Sequence, residues 1–219
     1  MFDPVPIPPE HSAYPNALSQ LLGKTSSLNL SAIGYLDMLR KPAIALFCST
    51  KCPEHLIRHT YSFASKIRAT HIPIIGGFHS SVEKECLKLL MIGTQPCIHC
   101  PARSLHNLRL SQDQKTAIAA QRLLLLSYFP ASQRRATAAL AEQRNRLVET
   151  IATVVFIAYA APGSKTEKLA KTIAAKNKPF FTFDSPDTQN LQQLGAVIVD
   201  VETELAMLLG NDRQLTPHH

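Results

Sequence analysis

A doubly wound α/β fold, with a mainly parallel sheet flanked by helices, is the architecture this sequence predicts, and three observations predict it. From Pro42 onward, short apolar runs alternate with longer amphipathic stretches, the pattern of repeated strand–helix units. Several runs end in a turn carrying Gly or Ser just before a helical pattern begins, as expected where a strand feeds a crossover helix. Over 219 residues, 45% apolar and 18% charged side chains suffice for one well-filled core rather than a disordered chain.

The elements follow in order. Four prolines before His11, then Tyr14-Pro15 and apolar patches at Leu18–Leu22 and Ile33–Leu39, predict an irregular N-terminal arm over residues 1–41 that ends in a short helix. The α/β domain is expected over 42–210. Its first strand is AIALFC (43–48), and Pro53 opens a helix with Leu56, Ile57 and Phe63 at helical spacings. IPIIGG (72–77) is the second strand, and Ser80 and Glu83 after it have the spacing of a capping box. QPCIHC (95–100) and RLLLLSYF (122–129) are the next strands, separated by a basic loop and a short helix around Gln112–Ala120. A helix from Gln133 to about Thr150 leads to TVVFIAYA (153–160), and a further helix spans Ser164–Lys176. PFFTFD (179–184) and AVIVDV (196–201) form a last strand pair, Glu202–Leu209 a terminal helix, and 211–219 a polar tail.

Charge narrows the partners. The 23 Lys and Arg against 16 Asp and Glu give +7 and a pI near 9.3, which favours polyanions. No apolar run reaches transmembrane length and the first residues lack a secretory pattern, so the expectation is a cytoplasmic protein with no membrane contact. Five cysteines, an odd number scattered through apolar segments, read as reduced thiols rather than a disulfide framework. Cys97 and Cys100 within one strand face opposite ways, so with Cys48 and Cys52 they do not form a metal site.

In open α/β sheets, ligands lie beyond the carboxyl ends of the strands, where amides of the following helices point outward. Two turns there stand out. Gly76, Gly77, Phe78, His79 and Ser80 follow the second strand; Gly163, Ser164, Lys165 and Thr166 follow the fifth. Glycines let backbone approach an anion, and hydroxyls add donors. Each turn is equally explained as a tight bend with a serine cap. Placed on neighbouring strands, the pair points to one shared phosphate-bearing ligand. Arg134 and Arg135, then Arg144 and Arg146, lie between them at spacings that set guanidiniums on related helix faces; a solvated basic surface is the competing reading. Neither turn has P-loop spacing, and no nucleophile elbow, His-Glu-x-x-His helix or dinucleotide glycine motif is present. Glu83 and Glu85 are the candidates for acid–base work, against a role complementing a helix dipole.

The order of segments from Tyr14 to Asp184 resembles the DNA-processing protein A (DprA or Smf) family. Tyr14-Pro15 with its leucines resembles that family's opening segment. GGFHSSVEKECLKLL (76–90), CPAR (100–103) and RLLLLSYFP (122–130) are similar to a divergent branch. RRATAALAEQRNRLVETIATVVFIAYAAPGSKTEKLA (134–170) is the most specific match, pairing an Arg-Asn-Arg helix with a strand and a Gly-Ser-x-x-Thr-like turn. Cys48-Ser49-Thr50-Lys51 departs from the Gly-Ser-Arg turn of the family's first strand.

The resemblance implies a Rossmann-like domain that binds single-stranded DNA and helps load a RecA-type recombinase in recombination and natural transformation, without covalent chemistry or cofactor. Lys51, His79, Ser80, Arg103, Arg134, Arg144, Arg146, Ser164 and Lys165 then become phosphate contacts, with bases stacking near Phe78 or Tyr128. A homodimer is compatible with this reading. The wider superfamily includes lonely-guy type phosphoribohydrolases, which keeps a mononucleotide sensor or enzyme as the alternative; their Pro-Gly-Gly-x-Gly-Thr turn is not fully present here.

Overall fold

A computed structural model describes residues 2–22 and 28–199; the expected helix at 202–209 and the tail lie outside them. Among the described residues nine strands form one sheet: β1 (Val5–Ile7), β2 (Leu30–Gly34), β3 (Ile44–Cys48), β4 (Ile74–Gly76), β5 (Cys97–His99), β6 (Leu123–Ser127), β7 (Val154–Tyr159), β8 (Phe180–Thr182) and β9 (Val197–Ile198). Their order is β1-β2-β6-β5-β4-β3-β7-β8-β9. β3 to β9 run parallel, whereas β1 pairs antiparallel with β2 and β2 with β6. The chain thus winds outward from β3 to β6, then returns to place β7 on the other side of β3, which makes the β3–β7 boundary the topological switch point.

Seven α-helices accompany the sheet in the described residues: α1 (Asn16–Leu22), α2 (Glu54–Ile67), α3 (Ser81–Ile92), α4 (Gln112–Ala119), α5 (Ala138–Ile151), α6 (Lys165–Ala175) and α7 (Gln189–Gln193). The alternation of strand side chains divides the core into two. Ile44, Leu46 and Cys48 pack with Leu56, Phe63, Cys86, Leu90 and Ile118 of α2, α3 and α4. Ala45 and Phe47 pack with Leu18, Leu147, Val148, Leu169 and Ile173 of α1, α5 and α6. Phe63 stacks on Phe156 at 4.3 Å between ring centres. Strands buried on both faces explain why the apolar runs read as continuous rather than alternating. Cys97 and Cys100 belong to opposite faces of the sheet, and all five cysteines are free thiols.

Four features differ from the sequence expectation. The N-terminal segment supplies two strands as well as α1; β1 is three residues long and contains Pro6, which an edge strand tolerates because its outer side needs no donor. The helix expected from Gln133 begins instead at Ala138, where the Thr137 hydroxyl accepts the Leu140 amide at 3.3 Å. Arg134 and Arg135 therefore lie in the loop before α5, off the faces that carry Arg144 and Arg146. β4 and β7 are not neighbours, because β3 stands between them. The short α7, whose only fully buried side chain is Leu191, carried too little apolar signal to be read as a helix.

Candidate nucleic-acid interface

Three turns meet at the carboxyl ends of β3, β4 and β7, and hydrogen bonds tie them into one unit. Ser49, just past β3, donates its amide to the Tyr159 carbonyl at 2.9 Å. Its hydroxyl accepts the Ala161 amide at 3.0 Å and lies 3.2 Å from the Ser164 hydroxyl. On the other side, the Cys48 amide donates to Glu83 Oε1 at 2.9 Å.

Glu83 is the hub of the β4 turn. Ser80 caps α3 by accepting the Glu83 amide at 3.1 Å. In return Glu83 Oε2 accepts from the amides of His79 at 2.8 Å and Ser80 at 3.4 Å. The expected capping box is formed, but its carboxylate does more than cap, because it also holds the end of β3. The β7 turn repeats the device. Ser164 accepts the Glu167 amide at 3.1 Å, and Glu167 Oε2 accepts the Gly163 amide at 3.1 Å and pairs with Lys171 Nζ at 3.2 Å. Glu167 Oε1 accepts from Asn190 at 2.6 Å. Hydrogen bonds from Asn190 and Gly163, in that order, hold the Glu167 carboxyl below its ordinary pKa, with Lys171 adding to them.

These carboxylates stand where a ligand phosphate would sit on a helix N-terminus. Three amides of these turns, those of His79, Ser80 and Gly163, already donate to the protein's own carboxylates, and the Ser164 amide donates to the Ala161 carbonyl. Ser80 and Ser164 are engaged as caps, Thr166 is half-buried, and Gly163, at φ 73°, is exposed with open space around it. Serine-x-x-glutamate spacing at 164–167 matches that at 80–83, so the Glu167 clamp was legible in sequence, though only the first pair was read.

Arg144 is a strut rather than a surface cation. It is 3% exposed, donates from Nη1 to the Cys100 carbonyl at 2.7 Å and from Nε to Asn145 Oδ1 at 2.7 Å. Burial pushes its guanidinium pKa down, and the nearby Glu83 charge works against that push. Its path explains the buried Gly77, where a Cβ would stand 1.7 Å from Arg144 Nη1. Gly76 is buried beside it. Phe78 is also buried, at φ 45°, with its ring edge-on to His99 at 5.7 Å, so it offers no face to a base. Tyr128 is half-buried and stacked on Phe129 at 4.4 Å.

His99 closes β5 beside this strut, and sequence reasoning passed over it. Its Nδ1 is buried without a hydrogen-bond partner. Burial, and then the Arg144 charge, push its pKa down from 6.5 to about 4, with the Gly77 backbone opposing. The folded protein thus keeps His99 neutral while the unfolded chain binds a proton below about 6.5. The stability this contributes is complete above pH 6.5 and is lost as pH falls from 6.5 through 4, with a slope approaching about 1.4 kcal/mol per pH unit. Urea unfolding at pH 7 and pH 5 is expected to show a smaller loss for His99→Gln than for the unsubstituted chain; equal losses would refute this assignment.

What remains exposed at the rim is cationic. Lys51, Arg134, Arg135 and Lys165 are exposed there beside the exposed His79, and Arg103 is half-exposed; Arg146 is also exposed, but more than two turns along α5 from the rim. The Ser104 amide donates to the Gln133 carbonyl, and the Ser127 hydroxyl to the Arg103 carbonyl, each at 2.8 Å. These bonds join the β5 and β6 loops, which brings Arg103 alongside the loop of Arg134 and Arg135. Among the described residues, Lys51, Arg103, Arg134, Arg135 and Arg146 have no carboxylate partner, while Lys165 pairs with Glu142 at 2.5 Å. No group of three or more His, Cys, Asp or Glu is placed to hold a metal among the described residues, and no described helix is long and apolar enough to cross a membrane.

Known proteins share this architecture. The structure of DNA processing protein A from Helicobacter pylori, described by its single-stranded DNA binding mode, superposes with a TM-score of 0.75 at 21% identity over 93% of this chain and 95% of that one. DNA processing protein A from Streptococcus pneumoniae gives a TM-score of 0.73 at 16% identity, covering 90% of this chain and 71% of the other. The molybdenum cofactor carrier protein of Chlamydomonas reinhardtii is a more distant likeness, at 0.53 and 15% identity over 77% and 96%. No curated protein matches the sequence. These likenesses are of fold; membership rests on the sequence profile described as DNA recombination-mediator protein A, which matches residues 6–210. The chain belongs to the DNA recombination-mediator protein A family.

Proposed function

We propose that this chain binds single-stranded DNA by its phosphate backbone, along the rim at the carboxyl ends of the parallel strands, and acts through that binding in DNA processing and recombination. The observation that carries the reading is the row of unpaired surface cations from Arg134, Arg135 and Arg103 to Lys51, over turns in which Glu83 and Glu167 hold the amides of His79, Ser80 and Gly163. Side chains, not a preformed amide cradle, do the binding, which suits a flexible polyanion better than one small phosphate. In this reading the protein works in the cytoplasm, needs no cofactor to hold DNA, and has a RecA-type recombinase as its protein partner.

No observation favours the small-nucleotide enzyme. Glu83 is buried and engaged by three amides, and Glu85 is paired with Lys88 at 2.7 Å.

Fluorescence anisotropy with a labelled oligonucleotide across salt tests the proposal. For a short oligonucleotide, affinity should fall linearly in log–log form, with a slope of roughly −3 for the four unpaired rim cations Lys51, Arg103, Arg134 and Arg135. Absence of binding even in low salt would overturn it.

A further inference from the structure

Beyond the rim, a second basic surface runs down between α5 and α6. Lys165, the first residue of α6, stands at its mouth and is paired with Glu142 of α5. Arg146 and Lys168 follow along the groove, with Asn145 and Thr172 beside them. Arg146 and Lys168 are exposed and, among the described residues, have no carboxylate partner. Three cations therefore face one carboxylate, and the hydrogen bond from Lys165, then its charge, hold Glu142 below the ordinary carboxylate range, with the Lys168 and Arg146 charges adding to them.

The shape of the groove decides among ligands. Its floor encloses only about 40 Å³, far below the roughly 300 Å³ at which small-molecule pockets begin. Its one apolar lining residue, Leu169, is 8% exposed, so a protein partner would find no aromatic or aliphatic pocket to anchor in. A narrow basic channel with the Asn145 side-chain amide beside its cations, open at the rim through Lys165, fits a sugar–phosphate chain. Resting on the rim reading above, we propose that the α5–α6 groove continues the single-stranded DNA path, so that Arg146 and Lys168 hold phosphates of a strand that has already crossed the rim.

The prediction concerns oligonucleotide length. The unsubstituted chain should bind an oligonucleotide of about 20 nucleotides more tightly than one of about 5, since the short one spans only part of the path. The double variant Arg146→Ala/Lys168→Ala should lose about tenfold in affinity for the long oligonucleotide near 0.15 M salt, with its salt slope reduced by about 1.4, and keep its affinity for the short one. Arg58→Ala, on the opposite face of the sheet, should change neither, and an unchanged Tm for the double variant excludes a folding defect.

If the unsubstituted chain binds neither length, the rim reading fails and this one with it. If it binds both and the double variant retains the long-oligonucleotide affinity, or loses both equally, the groove is not a continuation of the path while the rim reading stands. Competition by poly-glutamate as effective as by the long oligonucleotide would assign the groove to an acidic protein segment instead.

Discussion

Replacing Glu83 by leucine is expected to destabilise the protein by about 4 kcal/mol or more, a large share of the roughly 5–15 kcal/mol available to a domain. Glu83 is 7% exposed and accepts from the amides of Cys48, His79 and Ser80. Each orphaned donor costs about 1–3 kcal/mol when buried, and Arg144 would lose the charge that offsets its burial. Glu83→Gln keeps the shape and one acceptor but loses the charge, so a loss of about 2–3 kcal/mol is expected. Urea titration of Glu83→Gln, Arg144→Met and the double variant measures the coupling, and the double variant should lose less than the sum of the singles. A Glu83→Gln protein within about 0.5 kcal/mol of the parent would remove the structural role and return Glu83 to the acid–base reading.

The same residue shows how far sequence alone reaches. Ser80 and Glu83 were legible as a capping box because the device is local, three residues apart on one chain segment. The bond from Cys48 to Glu83 spans 35 residues, and nothing in the spacing announced it. Gly77 was read as a glycine that lets an anion approach; the group that approaches is the buried guanidinium of Arg144, 67 positions further along by the numbering of the two residues. Both readings follow from the same physical fact, a missing Cβ, and only the tertiary structure chooses between them. The parallel strands were legible because burial on both faces leaves continuous apolar runs. β1 was hidden by Pro6 and its three-residue length, and β2 because its end at Ile33–Gly34 ran into the apolar patch of 33–39. The loop of Arg134 and Arg135 was mistaken for helix because its polar composition carries no stop signal before the Thr137 cap.

The corrected geometry sharpens what the rim should do. With Arg144 inside and a carboxylate already seated at the start of each of the two helices, affinity for single-stranded DNA is expected to come from the surface cations. The quadruple variant Lys51→Gln/Arg103→Gln/Arg134→Gln/Arg135→Gln is therefore expected to bind on the order of 200-fold more weakly near 0.15 M salt, with a salt slope reduced by about 2.8. Arg134→Gln/Arg135→Gln alone, two exposed loop residues with no ion pair, should account for about half of that slope change without altering Tm. Arg144→Met should do the reverse, lowering Tm strongly while the folded fraction keeps the parental slope, because a guanidinium spent on Cys100 and Asn145 releases no counterion when DNA binds. An amide cradle would give a different pattern: neutralising side chains would barely move the slope, and affinity would follow the integrity of the two turns. Equal slopes for the quadruple variant and the parent would thus place the DNA elsewhere on the protein, whereas a reduced slope that is the same for different base compositions identifies backbone phosphate as what this rim reads.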